Sequence, residues 1–281
     1  VVIRGCKSHG SITSTTTSST ADQFGGIAGH TNGAITIANC SSDINMTYNG
    51  LSTPRFGGMI GYTQSNGYLR ISDCSYSGSM IHKPSKAKKQ YSYIGGMVGY
   101  NNTFASDPDY VIENCEFTGS ISGEIENATA EYQMRAAGIV PQLPKADAFS
   151  SAATIRGCRV NAVIANTVSG TSAKTNTIVL AGILGFAEST NVAHIENCSF
   201  GGKIESIGYK STVAGISGTQ GNDNASIKLC RILKGTALHS QTAGSTVGLI
   251  AANPGALTEK VTARLAECTC ACGAEPVNVD A

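Results

Sequence analysis

An apolar residue followed three positions later by a cysteine recurs eight times along this chain. The cysteines are Cys6, Cys40, Cys74, Cys115, Cys158, Cys198, Cys230 and Cys268, and the residues before them are Ile3, Ile37, Ile71, Ile112, Ile155, Ile195, Ile227 and Leu265. Six residues after the first six cysteines come Ile12, Met46, Met80, Ile121, Ile164 and Ile204. A long, regular period marks a stacked repeat, in which each unit buries its apolar face against its neighbours. The expected architecture is therefore a solenoid and not a globular domain built around one pocket.

A second anchor falls between successive cysteines. It reads Phe24-Gly25-Gly26-Ile27-Ala28-Gly29, then Phe56-Gly57-Gly58-Met59-Ile60-Gly61, then Ile94-Gly95-Gly96-Met97-Val98-Gly99. Looser copies begin at Ala136, Leu180, Val213 and Thr246. Small residues there let the backbone pass close to a neighbouring segment, and the apolar flanks fill a core.

Segments such as Tyr110–Ile121 are short, β-branched and glycine-containing, which favours strands over helices. Ile112 and Cys115 lie an odd number of residues apart, yet both are expected inside, so the chain must bend between them. The residue before the cysteine is Gly5, Asn39, Asp73, Asn114, Gly157 or Asn197, types that tolerate positive φ at a corner; Leu229 and Glu267 depart from the rule. The spacing predicts an all-β parallel β-helix of about seven to eight coils with an interior Cys/Ile ladder. Each coil holds about three short strands and rises ~4.8 Å, giving a rod on the order of 35 Å. Residues 1–253 form the solenoid; residues 254–281 are a final degenerate coil or a cap, with Leu265 and Cys268 keeping the repeat spacing.

The ten cysteines fit free, stacked, buried thiols better than a disulfide framework, because eight share one repeat position. Pairing is still sterically open at strand spacing. Cys268-Thr269-Cys270-Ala271-Cys272 lacks metal-site spacing and a nearby histidine, so an end-of-rod disulfide or free thiols is the expectation, and no metal or other cofactor is implied. A net charge of +1, with only 14% charged residues, gives no footprint for nucleic acid. No run has the length of a membrane span.

The glycine anchors resemble the GLUG motif of bacterial surface proteins, best at Gly57-Gly58-Met59-Ile60-Gly61-Tyr62 and Gly95-Gly96-Met97-Val98-Gly99-Tyr100, and closely at Gly25-Gly26-Ile27-Ala28-Gly29-His30. The resemblance covers residues 1–253 and implies a single-stranded right-handed parallel β-helix of the kind found in adhesins, secreted peptidases and large envelope proteins. The motif is a scaffold signature, so it carries over no catalytic residue. The regular cysteine departs from the usual pattern.

The expected role is thus a non-enzymatic extracellular or cell-surface rod or adhesin, whose loops contact glycans or proteins. An extracellular filament that stacks through coil ends is the first alternative, and a carbohydrate-active β-helix enzyme is the second. The acids such an enzyme would need are scattered over Asp22, Asp43, Asp73, Glu113, Glu196 and Glu205. The candidate binding loop carries Lys83, Lys86, Lys88 and Lys89, a cluster suited to acidic glycans. Among six sequons, the loop sites Asn101 and Asn127 are the best glycosylation candidates.

Overall fold

The computed structural model describes residues 1–16, 21–50, 52–64, 68–84, 90–102, 110–126, 132–143, 152–169, 177–187, 191–219, 225–253, 265–266, 268–270 and 277–278. All regular structure among them is β-strand, and the strands stack in parallel as coils of one continuous helix. About seven coils are complete; the strand Leu265–Ala266 opens a further one by pairing with Ser226–Lys228.

The repeat positions predict the register. On the first face the strands containing Ile3, Ile37, Ile71, Ile112, Ile155, Ile195, Ile227 and Leu265 pair so that these residues form one column. On the second face Ile12, Met46, Met80, Ile121, Ile164, Ile204 and Leu238 form another. All interior members of both columns are buried, as are Cys40, Cys74, Cys115, Cys158, Cys198 and Cys230. Because each parallel strand borrows its hydrogen bonds from the coils on either side, a column of like side chains satisfies the same contact at every level.

The bend between isoleucine and cysteine is made by one residue per coil with a left-handed backbone. Gly5, Asn39, Asp73, Asn114, Gly157 and Asn197 all have φ between 51° and 64°. Leu229 has the same conformation, with φ 54°. A leucine there has no side-chain advantage, so the coil below it imposes the path. The asparagine corners also stack: Asn114 Nδ2 donates to Asp73 Oδ1 at 3.3 Å.

All eight repeat cysteines are free thiols, whereas Cys270 is disulfide-bonded. Each interior sulfur lies near the carbonyl two residues back and near the carbonyl of the isoleucine in the preceding coil; Cys115 Sγ reaches Glu113 O at 3.2 Å and Ile71 O at 3.8 Å. Hydrogen bonding with Cys158, together with burial, pushes the Cys115 thiol above its ordinary range. Neighbouring thiols thus stay protonated and unreactive.

The coil contains more strands than three. The second face is split into short pairs, such as Ser75–Tyr76 and Ser79–His82, and merges into one strand only at Arg159–Val168 and Ser199–Ile207. The glycine segment adds two more strands on either side of an elbow, as in Gln90–Gly95 and Val98–Asn101. The elbow turns toward the core, not away from it. A Cβ on Gly96 would stand 2.7 Å from Phe117 Cγ, and one on Gly138 would stand 2.6 Å from the Val160 methyls. Glycine is required because the backbone itself packs against the second face. Met59, Met97, Ile139, Ile183 and Ile216 at the elbow are fully buried.

Pro141 takes the place of the last glycine in the fourth elbow and offers no N–H. The fourth face divides at that level into a three-stranded sheet ending at Val98–Asn101 and a four-stranded sheet starting at Val140–Gln142.

Candidate functional site: the groove outside the elbow

An elbow that points inward leaves a groove outside. The outer side chains of two strands diverge at an ordinary corner. Here they converge: Tyr93 and Tyr100, on the two strands of one coil, have ring centroids 4.5 Å apart. The third-face strands place Gln23, Arg55, Tyr93 and Arg135 in one outward column. The fourth-face strands place His30, Tyr62 and Tyr100 in a facing one. Tyr62 and Tyr100 stack nearly parallel, 6.0 Å apart at 5°, and His30 sits 4.9 Å from Tyr62.

Two arginines bridge the columns. The Arg55 guanidinium carbon lies 4.1 Å from the Tyr62 ring centroid and 4.9 Å from that of Tyr100. Arg135 lies 3.7 Å from the ring of Phe186 and donates to Gln142 Oε1. Stacking holds a guanidinium flat and leaves its N–H edge for in-plane acceptors. Burial raises the Tyr93 phenol above its usual range, so it stays a neutral hydroxyl. The strip therefore presents aromatic rings, phenol hydroxyls and two ring-stacked arginines, and no carboxylate among the described residues shares it.

Of the sequence-predicted residues, Lys83 and Asn101 are described. Lys83 follows the strand Ser79–His82 and is exposed, paired with Glu124 at 3.0 Å; the hydrogen bond from Lys83 holds the Glu124 carboxyl below its ordinary range. Lys86, Lys88, Lys89 and Asn127 lie outside the described residues. Asn101, expected in a loop, instead ends the strand Val98–Asn101 opposite Thr63 and is only 2% exposed. Its position as an inward rung, with Oδ1 buried, removes it from the surface where a glycan attaches.

The scattered acids are each engaged locally. Asp22 accepts from Ser14, Asp43 meets His9 and Asp73 meets Asn114. Arg156 pairs with Glu113, and Glu205 with Lys203 and His239, while Glu196 stands beside Arg156 in register.

One arrangement has the composition of a nucleophile and a base: Ser92 Oγ bonds His82 Nδ1 and lies 3.4 Å from the Tyr132 hydroxyl. Both residues are sealed in the core, with His82 at 0% exposure. Burial drives the His82 pKa down to about 3, so it is a neutral core imidazole with no route for a substrate. It belongs to a polar inward column of Ser14, Tyr48, His82, Gly123, Asn166, Ser206 and Ser240. Among the described residues no group of histidine, cysteine and carboxylate side chains could hold a metal ion. The described residues include no helix long and apolar enough to cross a membrane.

Fold and groove together define the chain as a parallel β-solenoid with an aromatic–arginine strip along one concave edge. No known family model matches its sequence, and neither a curated protein nor a solved structure matches it.

Proposed function

We propose that this protein is a non-enzymatic extracellular or cell-surface β-solenoid, a rod or adhesin that contacts glycans or proteins along the elbow groove and its bordering loops. The observation that carries the reading is the Arg55–Tyr62–Tyr100 stack. Arg55 and Tyr100 are only partly buried and pack with Tyr62, which is 5% exposed, outside the main apolar core of the rod. The likeness of the glycine segments to the GLUG motif of surface proteins supports the same setting.

The test is saturable binding of the fluorescently labelled chain to a glycan array and to intact cells. Tyr100→Ala is expected to abolish the signal with the β-sheet circular dichroism intact. Equal binding by the variant, or none by either protein, contradicts the reading.

A second reading is end-to-end assembly, in which the strand edges of one copy's last coil pair with those of another. Sedimentation that shifts with concentration tests it. The carbohydrate-active alternative has less support, because the candidate acids are spread over surfaces away from the groove; turnover on a panel of polysaccharides would revive it.

A further inference from the structure

We infer that the elbow groove is a binding site for a carboxylate-bearing saccharide, such as a uronic-acid chain, with the Arg55 guanidinium as the anion anchor. The inference rests on the ligand-binding reading of the groove and specifies its chemistry.

Arg55 is the starting point. Its guanidinium packs against two aromatic rings, Tyr62 and Tyr100, that lie side by side along one column. Its Nε is buried without a hydrogen-bond partner, and no ion pair involves it among the described residues. A cation held in this way has lost hydration without gaining a counter-charge, an arrangement that costs free energy until an anion arrives. The other charged side chain on this strip is also a cation, Arg135, two strand spacings farther along the same column. The local field thus favours a negative ligand.

Geometry narrows the class. A planar guanidinium held by ring contacts presents its free N–H groups as a fixed fork, which suits the two oxygens of a carboxylate. Beside it, Tyr93 and His30 present ring faces and polar edges. Flat apolar faces bordered by polar edges fit a pyranose ring, which has an apolar C–H face and a polar rim. The columns run along the rod axis with a rung every ~4.8 Å. An extended polymer lying in the groove meets an aromatic rung at successive coils, and its acid groups meet the arginines. A compact anion such as free acetate can fill the Arg55 position but not the ring platforms.

The test is calorimetric titration of the whole chain with oligogalacturonate, a neutral gluco-oligosaccharide of equal length, and sodium acetate. Oligogalacturonate is expected to bind most tightly and to weaken as salt rises. Arg55→Met is expected to reduce that affinity at least tenfold, and Arg55→Lys to recover only part of it, because a point charge lacks the planar fork. Unchanged circular dichroism and continued protection of the buried thiols confirm that the variants fold. If the neutral oligosaccharide binds as well as the acidic one, and Tyr100→Ala abolishes both while Arg55→Met abolishes neither, the carboxylate assignment is overturned and the groove reading stands. Acetate binding as tightly as the oligomer also overturns it, leaving only a small-anion site. If none of the three binds, the assignment is wrong, and the array and cell assay decides the groove reading separately.

Discussion

Gly96 and Phe117 face each other so closely that a methyl group on Gly96 would lie 2.7 Å from the Phe117 ring carbon Cγ, and it would also run into the carbonyl oxygen of Gly138 in the next coil. The inward elbow, and with it the outer groove, depends on this absence of a side chain. Gly96→Ala must displace either backbone or a fully buried ring, so it is expected to destabilise the protein by more than about 3 kcal/mol or to prevent folding. Gly33→Ala is the control. Gly33 has φ 87° and open space around its Cα, so the cost is conformational alone, about 1–2 kcal/mol. Urea unfolding followed by circular dichroism measures the difference. Comparable losses at the two sites would contradict the packing account of the elbow.

Leu229 offers the opposite case. It occupies the corner position with φ 54°, is 41% exposed, and follows asparagine or glycine in the two preceding coils. Leu229→Asn relieves the left-handed strain and places an amide in the stack of polar corners. It is expected to raise stability by about 1 kcal/mol. A midpoint unchanged or lowered in urea would show that the leucine side chain makes contacts that outweigh the strain.

His82 gives the fold a dependence on pH. Its pKa is about 3 in the folded state because burial penalises the imidazolium, against an ordinary value of about 6.5 when unfolded. Above the unfolded value both states are neutral, and the full stability is present. As pH falls below it the unfolded chain takes up a proton that the native chain refuses, so stability declines until pH reaches the folded value. Between pH 6 and pH 4 the loss approaches about 1.4 kcal/mol per pH unit from this residue. His82→Phe removes the proton uptake, so the difference in unfolding free energy between variant and parent should shrink steadily over that range. A constant difference from pH 7 to pH 4 would mean that His82 is not sealed.

Much of this architecture is legible in the chain. The Ile3-to-Leu265 column and the Met46–Met80 column follow from spacing alone, because a stacked repeat asks for the same side chain at the same contact. The corner before the cysteine is legible too, since asparagine and glycine there report a positive φ. The route taken by Leu229 is not, because neighbouring coils hold it against its own preference. The elbow groove is half legible. Tyr62 and Tyr100 stand in the glycine motif itself, but Arg55 and Tyr93 precede it, and only the inward direction of the turn brings the two sets together. That direction is fixed by the bulk opposite, at Tyr76, Phe117, Val160 and Phe200, which lies in another part of the repeat. Asn101 looked like a loop residue because nothing local distinguishes an inward strand rung from a turn.

The central claim is a single parallel stack, and the distance along it can be measured directly. Arg4 and Lys228 are far apart in sequence but share one outward column, six rungs apart through Ala38, Ser72, Glu113, Arg156 and Glu196. Spin labels at these two positions, in a background with Cys6 and Cys268 changed to serine, are expected to give one narrow distance distribution by pulsed electron resonance. Its centre should lie near 29 Å, six rises of ~4.8 Å, and should drop by one rise when the second label moves to Glu196. A broad distribution, or a distance that does not step with the rung, would contradict the stacked-coil structure and the groove built on it.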